Sequence, residues 1–233
     1  MLLYIVSLYV HVKLSFTFFM IYNLSEKNSI ANQFLLELRD KNLQQDRMRF
    51  RKNMERLGEI MAYEISQRLS YKSHEVETPL AKTTIPVFEQ QPVLISVLRA
   101  GIPYFQGFLN FFDRASSGFI GACRQEGEEN ITINLDYISS PSLEGQTVIL
   151  IDPMLATGKS FIKSIDFLKR YGKPVHIHLA ALVSSPEGID FIKRNVNDAY
   201  TLWTFSIDKE LNSKFYIVPG LGDAGDLSYG EKI

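Results

Sequence analysis

The chain is poor in the residues that build disulfide and metal frameworks, with one cysteine and four histidines in 233 residues. A lone Cys123 excludes an intrachain disulfide and any multi-cysteine zinc site. Net charge is almost absent as well: 25 Lys and Arg face 26 Asp and Glu, leaving a formal -1. Nothing therefore draws the whole molecule toward nucleic acid or an anionic membrane. No repeat, low-complexity tract or linker composition divides the chain, which suits one large domain. Without a cysteine framework, a reducing cytoplasm is the expected compartment.

A long apolar run occurs once, at 1-MLLYIVSLYVHVKLSFTFFMIY-22. It is long enough to cross a bilayer, but His11 and Lys13 interrupt it near the centre, where charge is costly. It also lacks the basic start and small-residue cleavage site of a signal peptide. Residues 1–19 are therefore expected to be an apolar leader upstream of the true start at Met20. Residues 20–233 are expected to form a single domain.

Downstream, hydrophobic periodicity predicts helices at 30–38 and 46–69. In the second, Phe50, Met54, Leu57 and Met61 mark one apolar face. Arg47, Arg49, Arg51, Lys52 and Arg56 lie opposite, with Asp46, Glu55 and Glu59 among them, and read as a solvated or subunit-facing side. Strands are predicted at 92–99, 118–123, 131–139, 148–151, 175–184 and 199–206. The intervening helices fall at 103–112, 160–172 and 186–195, the last with Pro186 at its first position. This alternation predicts an α/β fold with a Rossmann-like, mostly parallel sheet covered on both faces. Ligands of such sheets bind beyond the carboxyl ends of the strands, which gathers Arg99, Arg124 and the loop 152–160 on one rim.

That loop, in 148-VILIDPMLATGKS-160, ends like an ATPase phosphate loop but begins differently. The position five before Gly158 is Pro153, where the ATPase motif needs glycine, and proline has no N–H to donate. A buried strand ending at Asp152 and turning at Thr157-Gly158 into a helix still aims several N–H groups at one point. The positive end of the helix dipole lies there too, making a cradle for a monophosphate. The Thr157 and Ser160 hydroxyls add donors and Lys159 adds charge. Asp152 would repel the phosphate at close range and suits sugar hydroxyls about one ribose away.

The segment resembles the phosphoribosyl-diphosphate loop of the type I phosphoribosyltransferases: four apolar residues, an acid, then Thr-Gly. Asp-Pro-Met-Leu-Ala-Thr-Gly, with Pro153 in place of a second acid, is similar to the uracil-specific members. The stretch 216-YIVPGLGDAGDLSYG-230 resembles their uracil loop, 97-VLRAG-101 their diphosphate-contacting arginine segment, and 184-SSPEG-188 a further family element. The resemblance spans residues 20–233. It implies a type I phosphoribosyltransferase core with N-terminal helices and a small base-binding hood. The implied reaction is transfer of ribose 5-phosphate from phosphoribosyl diphosphate to N1 of uracil, giving UMP and diphosphate in pyrimidine salvage.

Carried over by residue, the resemblance implies that Asp152, Asp223 and Arg99 are the catalytic groups. Phosphoribosyl diphosphate would be held by Arg99, Arg124, Asp152, Pro153, Met154, Leu155, Ala156, Thr157, Gly158, Lys159, Ser160 and Asp223. Uracil would be held by Ile217, Gly222, Asp223 and Ala224, largely through backbone groups. Mg²⁺ would ride mainly on the diphosphate, with no dedicated protein metal site. Family members are often activated by GTP, for which no site is legible here, and the apolar content of helices 46–69 and 103–112 suggests a homodimer or higher assembly. Lys159, Cys123, Ile102-Pro103 after Gly101, and Leu227 depart from the family pattern.

Elsewhere the bland reading is preferred. His176 and His178 read as structural, since no further metal ligand is near. Trp203 and Phe205 read as core or interface, and Phe105, Phe108, Phe111 and Phe112 as packing. Competing functions are a nucleotide-sensing regulator on the same fold, a P-loop kinase, and a purine or orotate transferase. The first calls for a basic face, the second for a glycine at Pro153. Orotate calls for cationic groups near the base, which the loop 217–224 lacks.

Overall fold

The computed structural model describes residues 19–125 and 132–231, with side chains described outside 122–136. Strand β1 (Met20–Asn23) leads into helices α1 (Ala31–Arg39) and α2 (Arg47–Ser66). The Asp46 carboxylate caps α2 by accepting the Arg49 N–H at 3.0 Å, as expected of an aspartate at this position. A hairpin of β2 (Tyr71–Glu77) and β3 (Lys82–Phe88) follows, then β4 (Val93–Leu98), α3 (Gly101–Phe111), β5 (Ser117–Gln125) and β6 (Thr132–Ser139). The unit around the loop 152–160 is β7 (Thr147–Ile151), β8 (Met154–Leu155) and α4 (Lys159–Leu168). Next come β9 (His176–Ala180), β10 (Val183–Ser184) and α5 (Pro186–Asn195). The chain then forms β11 (Tyr200–Thr204), β12 (Ser206–Ile207), β13 (Glu210–Leu211), β14 (Ile217–Val218) and α6 (Ala224–Tyr229).

The main sheet runs β1-β11-β9-β7-β4-β5-β6. All its pairings are parallel except β5 with β6. Side chains of β7 alternate between the two faces, as a strand requires. Ile149 and Ile151 join the core under α1, α2 and α3 with Met54, Leu57 and Phe108. Val148 and Leu150 join the core under α4 and α5 with Phe161 and Ile192. Truncating one of these fully buried residues to alanine costs about 2–5 kcal/mol.

The predicted α/β fold with a mostly parallel sheet is the one observed. The run 175–184 divides after Ala180, because the Leu182 and Val183 N–H groups turn to the Pro153 carbonyl at 2.9 and 3.1 Å. The run 199–206 divides likewise at Phe205, whose N–H bonds the Leu182 carbonyl at 3.1 Å. These turns create a second small parallel sheet, β12-β10-β8. Of residues 1–19, expected as an apolar leader, only Phe19 lies among the described residues, and its ring packs 5.0 Å from that of Tyr200. Phe105 and Phe108 of α3 and its C-cap Phe112 pack inward, but Phe111 is 48% exposed.

Arg47, Arg49 and Lys52 on the basic face of α2 are exposed, while part of that face is also tied to the protein itself. Arg49 forks onto Glu37 at 2.7 and 2.8 Å. Arg51 donates to the Ser228 carbonyl at 2.8 Å, and Arg56 lies over the Phe34 ring. The apolar face of the same helix, including Phe50, Met54, Leu57 and Met61, is spent on the protein's own core.

Candidate active site

At the carboxyl end of β7 the chain leaves the sheet at Asp152, whose N–H bonds the Ala180 carbonyl at 3.1 Å. One carboxylate oxygen accepts the Met154 N–H at 3.2 Å and the other accepts the Ser160 hydroxyl at 3.3 Å. The Ser160 hydroxyl is thereby turned toward Asp152. Burial pushes the Asp152 carboxyl up to about 6, despite the two hydrogen bonds that favour its charged form.

Gly158 caps α4 with φ +76, a conformation open to glycine and costly for other residues. A Cβ there would also lie 2.8 Å from the Gly188 carbonyl. From the other side, the Ser185 hydroxyl donates to the Ala156 carbonyl at 2.6 Å while accepting the Gly188 N–H at 2.9 Å. The segment 184–188 is thus the buttress of the loop 152–160. Thr157 accepts a long 3.5 Å bond from the Lys159 N–H. Pro153 to Ser160 therefore form one supported turn at a helix N-terminus, where backbone donors and the helix dipole favour an anion.

Arg99 follows β4 on the same rim. Its fork reaches across to the C-terminal segment, donating to Asp226 at 2.9 Å and to the Gly230 carbonyl at 3.2 Å. Its Nε is buried without a partner. Arg124 lies near the end of β5 in register with Ile133; its side chain, like that of Cys123, lies outside the described residues.

The second loop starts at Ile217, which is buried and pairs with Leu211 across β13 and β14. Val218–Pro219 is a cis peptide, and Gly220 and Gly222 have φ of 58 and 94. Asp223 then caps α6, accepting the Gly225 and Asp226 N–H groups at 2.8 and 3.0 Å. Ala224 is buried, whereas Gly222 and Asp223 line an open cleft of about 520 Å³. Its opposite wall is the α1–α2 connection with Gln44, Gln45 and Arg47.

Two residues at this loop carried no signal in the sequence, Arg39 and Asp208. Arg39 forks onto Asp208 at 2.7 and 2.8 Å and also donates to the Gly220 carbonyl at 3.2 Å. Asp208 accepts the Gly220 N–H at 2.7 Å and the Ser206 hydroxyl at 2.7 Å. Burial works to raise the Asp208 carboxyl, but the bonds from Arg39 and Ser206 and the Arg39 charge hold it below its usual range.

His176 and His178 are each hydrogen-bonded to the neighbouring strand. His176 bonds Thr201 at 2.9 Å, and His178 accepts the Trp203 indole N–H at 3.1 Å. Burial, with the neighbouring His176 adding to it, takes His178 down to about 3. Trp203 and Phe205 are core, and Tyr22 stacks on Trp203 at 4.1 Å. Among the described residues no cluster of three or more His, Cys, Asp or Glu is arranged to hold a metal ion.

Comparison with known proteins agrees with this geometry. A family model described as uracil phosphoribosyltransferase matches residues 25–230. A uracil phosphoribosyltransferase of Porphyromonas gingivalis is 43% identical over 212 residues, covering 91% of this chain and 98% of that protein. The protein of that name in Thermococcus gammatolerans is 38% identical, covering 88% and 91%. Among solved structures, the AQ2163 protein of Aquifex aeolicus superposes with a TM-score of 0.82 at 27% identity, covering 92% of this chain and all of that one.

Proposed function

We propose that this chain, which belongs to the uracil phosphoribosyltransferase family, transfers ribose 5-phosphate from phosphoribosyl diphosphate to uracil, yielding UMP and diphosphate. The observation that carries the reading is the meeting of two distant loops through one small sheet. Met154 and Leu155 of the phosphate loop pair with Val183 and Ser184, which pair with Ser206 and Ile207. The chain passes directly from there through Asp208 to the glycine loop at 217–224.

In this reading Ala156 to Ser160 hold the 5-phosphate through backbone N–H groups, and Asp152 takes the ribose hydroxyls. Arg99 and Arg124 face the diphosphate, with Pro153, Met154 and Leu155 forming the wall before the phosphate. As the C1–diphosphate bond breaks, positive charge grows on the sugar and negative charge on the leaving group. A guanidinium fork suits the second. N1 of uracil bonds to C1 as the C1–diphosphate bond breaks, and the N1 proton passes to the released diphosphate or to solvent. Because the displacement is direct, no covalent intermediate with the protein is needed. Mg²⁺ would be bound mainly through the diphosphate of the substrate, where it would help to offset the charge of the leaving group. Ile217, Gly222 and Ala224 offer uracil backbone donors and acceptors, and Asp223 sits between base and sugar. A site built on such bonds discriminates strongly, because a base lacking them leaves buried groups unpaired.

A homo-oligomer is proposed from exposed apolar residues on the hairpin and helices, among them Leu80, Ile85, Tyr63 and Phe111. No helix among the described residues is long and apolar enough to cross a membrane. A cytoplasmic setting is proposed, in keeping with the single cysteine of the chain.

The test is to incubate the full chain with phosphoribosyl diphosphate, Mg²⁺ and labelled uracil, with cytosine, orotate and hypoxanthine alongside. UMP from uracil alone, lost in Asp223→Ala, is expected. Phosphoribosyl diphosphate binding without turnover of any base would instead leave a sensor.

A further inference from the structure

We propose that Arg39 and Asp208 are positioning residues for base recognition, clamping Gly220 by both its N–H and its carbonyl so that residues 221–224 present their backbone to uracil. The inference rests on the functional reading above. Gly220 is the pivot of the loop. Its φ is +58, and a Cβ there would meet the Ile217 carbonyl at 2.1 Å. This peptide fixes how the chain leaves Ile217 and arrives at Gly222 two residues later.

The pair holds that peptide from both sides. Asp208 Oδ2 takes the Gly220 N–H and one arm of the Arg39 fork. Arg39 continues to the Gly220 carbonyl. Asp208 Oδ1 takes the other arm and the Ser206 hydroxyl. The Asp208 side chain is 3% exposed and that of Arg39 22%. An exposed ion pair would contribute little. This one is bidentate and its carboxylate is buried, so losing Arg39 strands the Asp208 charge.

The clamp is also tied to the phosphate half. The Asp208 N–H donates to the Ser184 carbonyl at 2.8 Å, and Ser184 pairs with Leu155. Arg39 stands at the end of α1, an element that contributes nothing to the phosphate cradle. The clamp therefore registers the base loop against a fixed phosphate loop, and its loss moves the first without moving the second.

Steady-state kinetics of the full chain test this with wild type, Asp208→Asn and Arg39→Lys, the KM values for uracil and phosphoribosyl diphosphate being measured separately beside thermal unfolding. Asp208→Asn is expected to raise the uracil KM about tenfold or more, with the phosphoribosyl-diphosphate KM within about twofold. Arg39→Lys keeps the charge and the fold but loses the fork, and falls between. Wild-type turnover with unchanged uracil KM in both variants overturns the inference alone. So do two KM values that rise together as the melting temperature falls, which is the mark of a purely structural pair. A wild type that makes no UMP overturns the functional reading, and this inference with it.

Discussion

The proposed phosphate loop at 152–160 and the proposed base loop at 217–226 are both short, glycine-bearing turns that end in a helix, yet they are held in different ways. The first is shaped mainly by its neighbours in sequence. Asp152 bonds Met154 and Ser160, Thr157 bonds Lys159, and the buttress at Ser185 comes from the next βα unit. The second is held by side chains remote in sequence. Arg39 reaches Gly220 from 181 residues away, Arg51 reaches Ser228 from 177, and Arg99 reaches Asp226 from 127. A turn made locally survives wherever its strand and helix form. A turn held from a distance depends on the whole scaffold being assembled. Sugar-phosphate binding should therefore be the robust half of this molecule and base selection the fragile half.

Arg99 is the sharpest place to break that division, since it follows a rim strand yet bonds α6 and Gly230. Arg99→Met should lower kcat/KM on the order of 10²–10³-fold, the usual cost of removing one preorganised donor to developing charge. Both substrate KM values should move. Asp226→Asn removes only the α6 partner of a half-exposed pair and should raise the uracil KM a few-fold at most. If Arg99→Met moves the uracil KM alone, Arg99 belongs to the base half and the diphosphate is held by other residues.

A smaller effect, confined to the phosphate half, is expected at Asp152. With its carboxyl pushed up to about 6, the free protein is largely protonated there below that pH, whereas ribose hydroxyls are best accepted by the carboxylate. The kcat/KM for phosphoribosyl diphosphate should fall about tenfold per unit as pH drops below about 6. Asp152→Asn should abolish this limb and lower the plateau roughly ten- to a hundredfold. For stability the sign is reversed. A carboxyl raised on folding favours the folded state below its unfolded pKa, and that contribution is lost as pH rises through about 6. A uracil KM following the same acid limb would show the two loops to be one coupled unit.

The same contrast explains what could be read in advance. The apolar run 148–151, the turn glycine and the apolar periodicity after 160 are local signals, and they located β7 and α4 closely. The base loop was legible only as a motif, because its geometry is imposed by Arg39, Arg51 and Asp208. An arginine on an amphipathic helix reads as solvated when its partner lies more than a hundred residues on. The helix α6 is six residues long, too short for periodicity to register. Asp223 as its N-cap was the available clue. The hairpin β2–β3 was missed because both its faces are largely exposed, so no apolar alternation marks it.

The smallest effect tests whether the support for the base loop extends behind the clamp itself. Glu37 lies on α1, two residues before Arg39, and is bonded by Arg49 and by Asn53 at 2.7 Å. The Arg49 hydrogen bonds, followed by the Asn53 bond, lower its carboxyl to about 2. A pKa depressed on folding contributes stability that is present above about 4.5, the unfolded value, and is lost as pH falls through about 2. Glu37→Gln should therefore flatten the acid side of the melting-temperature profile in that window and lower the neutral-pH value by roughly 2–4 °C. Because α1 carries Arg39 to Gly220, the uracil KM should rise slightly while the phosphoribosyl-diphosphate KM stays fixed. Equal changes in both would mean that α1 braces the whole rim, and the division between a self-supporting phosphate loop and a scaffold-held base loop would fail at its foundation.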